Sequence, residues 1–287
     1  MLPVAALLIG ASMWGVIWYP LRLFEQAGLS GLWATLLIYL AALPVGLLVF
    51  ILRRSSIHNL GSLALLALAS GWCNVAFILA VLDGNVVRIY LLFYLSPLWT
   101  VLLGWLLLGE RIDRHGWITL GCAMLGAVIM LYDPLLGLPW PQDGADWLSI
   151  TSGMAFALSN VLVRKLDGES VWTKTVFAWL GVLLLAWGWI VVAEEPVPEV
   201  PGQLILSALA LGGVAMVIMS TCVIYGLTHL PAHRAAILLL FELVAAALSA
   251  QWLTDERVLL REAAGGALVL LAGYLAARRH MQTARDQ

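Results

Sequence analysis

Val87–Arg111, VRIYLLFYLSPLWTVLLGWLLLGER, and His233–Arg257, HRAAILLLFELVAAALSAQWLTDER, align without a gap. Arg88 falls on Arg234, Trp99 on Ala245, Gly104 on Ala250, and Glu110-Arg111 on Glu256-Arg257. The same shift carries Asn74 onto Ser220 and Phe77 onto Val223 in the preceding segments. A slightly different shift sets Gly10, Trp14, Trp18 and Arg22 on Ser152, Phe156, Asn160 and Arg164. Each of these sets recurs every fourth residue and so shares one face of a helix. Self-similarity at a fixed offset marks a chain built from structural copies.

The copies are made of membrane helices. Hydrophobic residues make up 62% of the 287 residues and charged residues 11%, against roughly 25% charged in a soluble domain. Long apolar runs alternate with short polar knots, several runs reaching the ~20 residues that cross a bilayer. Backbone groups in lipid must be satisfied internally, so runs of this length are helices. Ten are expected, over 3–24, 30–52, 60–82, 86–108, 114–132, 146–166, 173–193, 204–228, 232–253 and 262–279. The first has no basic segment before it and reads as a retained span. The chain then divides into five-helix halves, 1–133 and 145–280.

Charge placement orients them. With the N-terminus inside, the cytoplasmic knots hold Arg53, Arg54, Arg111, Arg114, Arg164, Lys165, Lys174, Arg234, Arg278, Arg279 and Arg285. The other side holds Arg22, Arg88, Arg257 and Arg261, while the loops around Asp133, Asp143, Asp146, Glu194, Glu195 and Glu199 carry no base. The positive-inside rule places both termini in the cytoplasm. Because five is odd, the second half enters from the opposite side. Inverted halves are the architecture of alternating-access carriers, with the binding site near the midplane where the halves meet. A duplicated structural membrane protein that transports nothing is the alternative reading.

Several classes are excluded. No basic block invites nucleic acid. Cys73, Cys122 and Cys222 lie singly inside apolar runs, where a thiol is a small hydrophobe. His229 and His233 are separated by Pro231 and have no accompanying acid, so no metal is expected. No phosphate-binding loop, H-E-x-x-H pair or intramembrane nucleophile with a base occurs. A membrane-embedded enzyme is therefore the weaker alternative, and no cofactor is expected.

The paired endings Leu106-Leu107-Leu108-Gly109-Glu110-Arg111 and Trp252-Leu253-Thr254-Asp255-Glu256-Arg257 resemble those of the ten-helix EamA-like family in the drug/metabolite transporter superfamily. The resemblance covers essentially the whole chain. It implies a carrier of small metabolites in a bacterial inner membrane, and similarity to metabolite exporters implies export. The family's ninth helix typically carries Glu-Pro; here it is Glu242-Leu243, without the proline that sets a kink. Thr254-Asp255 likewise replaces the family's usual Leu-Gly.

Glu242 is the first candidate site residue. It lies near the centre of its span, where an uncompensated carboxylate costs ~2.5 kcal/mol or more and faces the bundle interior. It can hold a proton, making protons a candidate coupling partner, or meet a substrate ammonium; a structural acid bonded to a helix carbonyl is the alternative. Pro97 frees the carbonyl one turn earlier and kinks the fourth span, on one face with Tyr90 and Tyr94, whose hydroxyls can reach a ligand. Trp14, Trp18, Phe77, Phe156, Asn74 and Asn160 complete the candidate substrate-binding set. An aromatic stripe at helical spacing fits core packing as well as a cavity wall. Arg22, Arg88, Arg164 and Arg234 are expected to snorkel to the interfaces. The inventory lacks the cluster of bases a diphosphate needs and suits a neutral or zwitterionic small molecule, such as an amino acid, aromatic ones included, or an amine-like compound.

Overall fold

The computed structural model describes residues 2–132, 141–254 and 259–283. Its helices, in chain order, are α1 Leu2–Gln26, α2 Gly31–Leu52, α3 Leu60–Asp83, α4 Val86–Leu108 and α5 Arg114–Leu131. They continue as α6 Gly144–Lys165, α7 Val171–Val192, α8 Gly202–His229, α9 Ala232–Leu253 and α10 Leu260–Thr283. Among the described residues no strand occurs. All of these helices except α6 are apolar enough to cross a bilayer. The exception has the same 22-residue length as α2 and α7, but one of its faces is polar and packed against protein. Asp146, Ser149, Ser152, Ser159 and Asn160 are all buried on it. Ser149 Oγ donates to the Ile89 carbonyl at 2.6 Å and Ser152 Oγ to the Cys73 carbonyl at 2.6 Å.

Short polar side chains start the helices. Ser30, Asn59, Asn85, Asp113, Asp143 and Ser170 each accept a hydrogen bond from a backbone N–H three residues on, satisfying donors that the helix leaves orphaned. Gly109, at φ 68°, ends α4 in the left-handed region, a conformation glycine adopts without strain.

Three helices are interrupted. The break in α1 falls at Ile17, where Pro20 clashes with the carbonyl four residues back. α4 is broken between Phe93 and Ser96 ahead of Pro97, and Leu98 N–H turns back to the Leu95 carbonyl at 3.0 Å. At the equivalent point α9 is broken at Leu240, where Leu243 N–H reaches the Leu240 carbonyl at 3.1 Å. The missing proline therefore does not abolish the second break. Packing accompanies it instead: a Cβ on Gly15 of α1 would stand 2.5 Å from the Glu242 carbonyl. α8 carries a π-helical stretch at Leu211–Met216, where a Cβ on Gly212 would stand 2.0 Å from the Ile38 carbonyl.

The helices pair in a crossed pattern. α3 packs on α6 and α7, while α8 packs on α1 and α2. The second half of α4 packs on α6, and the second half of α9 on α1; α5 pairs with α10 and α2 with α7. Small residues let backbones meet at the crossings. A Cβ at Gly181 of α7 would lie 1.8 Å from the Ala67 carbonyl of α3.

The expectation that Arg88 snorkels is overturned. It is buried, and its Nε donates to Asp146 Oδ2 at 2.7 Å, while Asp146 also accepts from Gln142 N–H at 2.8 Å. Asp146, read as a loop acid, is a buried counter-ion in the first turn of α6. Arg164 is likewise held by protein, donating to Glu110 Oε1 at 3.4 Å and to the Thr228 carbonyl at 2.7 Å.

Candidate functional site

The breaks in α4 and α9 face one small cavity. α4 lines it with Phe93, Tyr94, Ser96, Pro97 and Thr100, α6 with Phe156, and α9 with Ala236, Leu239, Leu240 and Glu242. The space is about 10 Å³, room for a single water. Pockets that hold small molecules are roughly 300–1,000 Å³, so a cargo enters only if the helices around these breaks part.

Glu242 and Tyr94 interact side chain to side chain in this wall. Glu242 is half-buried and, among the described residues, is the only carboxyl in the wall, with no Lys, Arg or His lining it. The site is thus one acid, two hydroxyls from Ser96 and Thr100, one phenol, and apolar or aromatic surface. Such a wall can orient an ammonium or a neutral hydrogen-bonding group, and it offers nothing to neutralise a phosphate.

An aromatic cluster continues from the cavity. Phe93 is its hub, with ring centroids 4.9 Å from Phe77, 5.5 Å from Tyr94 and 5.4 Å from Phe156. Tyr90 stands edge-on to Phe77 at 5.1 Å and stacks on Tyr94 at 6.2 Å. These separations lie in the range where aromatic pairs attract.

The structure therefore brings together Phe77, Tyr90, Tyr94, Pro97, Phe156 and Glu242. It does not bring the other four into the cavity wall. Trp18 Nε1 donates to Ser249 Oγ at 2.9 Å, and Ser249 Oγ to the Gly15 carbonyl at 3.2 Å, binding α1 to α9. Trp14 packs against two apolar clusters. Asn74 Nδ2 donates to Tyr39 Oη at 3.4 Å. Asn160 is buried one turn from Phe156. Sequence reasoning missed Phe93, Ser96 and Thr100. Phe93 stands four residues before Pro97, so helical spacing alone put it on the proline's face.

Among the described residues no group of three His, Cys, Asp or Glu side chains is placed to hold a metal ion. A solved crystal structure aligns with 96% of this chain and 98% of its own at TM-score 0.76 and 16% identity, which shows a shared fold. Protein RarD of Streptomyces exfoliatus is 27% identical over 182 residues, 60% of this chain and 55% of that protein. An uncharacterized transporter of Pseudomonas aeruginosa is 28% identical over 135 residues, 47% of this chain and 42% of that protein. The chain thus spans about half the length of these curated relatives. The EamA-like transporter family matches residues 1–132 and 144–278. Its apolar helices, its fold and this match over nearly all its length place the chain in the EamA-like transporter family.

Proposed function

We propose that the chain is a secondary carrier that moves a small neutral or zwitterionic metabolite, an amino acid or amine-like compound, by alternating access. The observation that carries this reading is the pair of breaks at aligned points of α4 and α9, both facing a cavity that, among the described residues, holds one carboxyl and no base. Discontinuous helices at the interface of two repeats are where carriers build their sites. The halves, 1–133 and 145–280, act as inverted repeats; the crossed pairing of α3 on α6 with α8 on α1 supports this. Tyr94, Pro97, Phe156 and Glu242 contact the cargo, with Phe77 and Tyr90 behind them. Trp14, Trp18, Asn74 and Asn160 join the path as it opens. Glu242 is the proton-coupling group.

The protein lies in a bacterial inner membrane with both termini in the cytoplasm, as the Lys and Arg placement supports. Its direction is export. The deciding experiment reconstitutes the purified chain in proteoliposomes and offers labelled amino acids, nucleosides and amines. Saturable movement of an unaltered amino acid or amine is the expected result. Chemical conversion of the compound, or movement of none of them, would overturn the reading.

A further inference from the structure

Polar contacts show which end of the bundle can be closed. Ser170 Oγ donates to Ser55 Oγ at 3.2 Å, and Glu169 accepts from the N–H groups of His58 at 2.6 Å and Asn59 at 2.8 Å. These bonds gather the α2–α3 and α6–α7 connections at one end, with Arg53, Arg54, Arg164 and Lys165. At this basic end Glu110 Oε2 accepts from Ala232 N–H at 2.8 Å, and Arg164 Nη1 donates to the Thr228 carbonyl at 2.7 Å. Lys174, fully buried in the first turn of α7, donates to Thr228 Oγ1 at 2.8 Å and to the Val163 carbonyl at 3.2 Å.

The α4–α5 connection, through Glu110, and the helices α6 and α7 thus hold the α8–α9 connection, Thr228–Ala232. α8 and the second half of α9 pack on α1, whereas α4 packs along α6. Ion pairs tie α4 to α6 at both ends, Arg88 with Asp146 at the start of α4 and Glu110, just past its end, with Arg164. Those two helices are tied to one another, so the contacts to Thr228–Ala232 are the ones that must release for the basic end to open. Lys174 donates there to a carbonyl and a hydroxyl, with Asp167 and Glu169 acting on its charge.

One face of α6 leads from the cavity to this clamp. Phe156 lines the cavity, Asn160 follows one turn on, and Arg164 one turn after that. Asn160 is buried, yet its Nδ2 finds no hydrogen-bond partner among the described residues. A buried amide without a partner is costly and rare. A carbonyl or carboxylate oxygen passing along this face would satisfy it.

We propose that this face of α6 is the basic-end half of the transport path. Asn160 is a binding station on it for a hydrogen-bond-accepting group of the cargo. Glu110, Arg164 and Lys174, clamped on Thr228–Ala232, are its gate. This rests on the carrier reading above, but its test does not need a known cargo.

The test places Asn160→Cys in a chain lacking Cys73, Cys122 and Cys222, and applies a small membrane-impermeant thiol reagent to the basic-end face of sealed vesicles. Glu110→Gln and Lys174→Met should each speed labelling about tenfold, the scale set by losing one charge-assisted hydrogen bond. Arg164→Lys, which keeps the charge but loses the planar fork, should do so to a smaller extent and serves if the other two variants do not fold. Ser149→Cys, buried at the opposite end, should stay unlabelled throughout. Unchanged labelling at position 160 in every folded variant overturns the gate. Equal exposure at position 149 also overturns it, because the helices would then be loosened everywhere. Labelling as expected, with no compound moved in proteoliposomes, leaves the gate standing and overturns the carrier reading.

Discussion

Tyr94 and Glu242 interact across the cavity wall, one at the break in α4 and the other just past the break in α9. Their contact is not symmetric. Under the repeat Tyr94 corresponds to Leu240 and Glu242 to Ser96, so one half supplies the phenol and the other the acid. This difference gives the Glu242 carboxyl a partner that can follow it or release it.

Tyr94→Phe keeps the ring against Phe93 and Tyr90 and deletes only the hydroxyl. A hydrogen bond to a charged group contributes about 1.5–3 kcal/mol. Cargo flux should fall about tenfold or more, with the melting temperature of the purified protein little changed. Wild-type flux in the folded variant would remove this bond from the mechanism.

Glu242→Gln keeps size and hydrogen bonding and loses ionisation. In proteoliposomes under an imposed pH gradient, wild-type flux should follow the gradient and the variant's should not. Folding and cargo binding should survive. Gradient-driven flux that persists unchanged in Glu242→Gln would eliminate this residue as the coupling group.

The buried Arg88–Asp146 pair makes a stability prediction. Removing one partner of a buried ion pair leaves an uncompensated charge and costs about 3–5 kcal/mol, whereas replacing both is often nearly neutral. Arg88→Met should therefore lower thermal stability in detergent sharply, and Arg88→Met with Asp146→Asn should recover most of the loss. A double variant as unstable as the single one would mean that the charge pair does not set the stability of this contact.

Glu169, in the connection between α6 and α7, supplies a pH dependence. Burial opposes its charge, but the Asn59 and His58 N–H groups and the His58 ring outweigh that and hold its carboxyl below the ordinary 4.5. A carboxyl depressed in the folded state contributes stability that is present above its unfolded value and lost as pH falls through its folded value. Melting temperatures measured downward from about pH 6 should show wild type losing, below about pH 4.5, the advantage it holds over Glu169→Gln. A constant difference between the two at all pH values would contradict this.

Much of the frame was legible because lipid forces a simple code on it. Apolar runs marked the helices, and Pro97 marked the break in α4. The break in α9 was not legible: Leu243 replaces the proline, and close packing of Gly15 on the Glu242 carbonyl appears only when α1 meets α9. Arg88 looked like an interfacial base because its partner Asp146 lies in the other half of the chain. Trp18 shares a helical face with Trp14 in the sequence, yet its indole is engaged by Ser249. α6 was legible as an apolar run over 146–166, and its buried serines show why it can be more polar than a lipid-facing span.

A carrier of this kind must expose one binding site, between α4 and α9, to the two sides of the membrane in turn. Counterflow distinguishes that from a pore, using proteoliposomes loaded with unlabelled cargo and diluted into a trace of the labelled compound. An alternating-access carrier must accumulate label transiently above its equilibrium level, and Tyr94→Phe should shrink that overshoot. Label that rises only to equilibrium, with no overshoot in the wild-type protein, would show a pore rather than a carrier and contradict the alternating site.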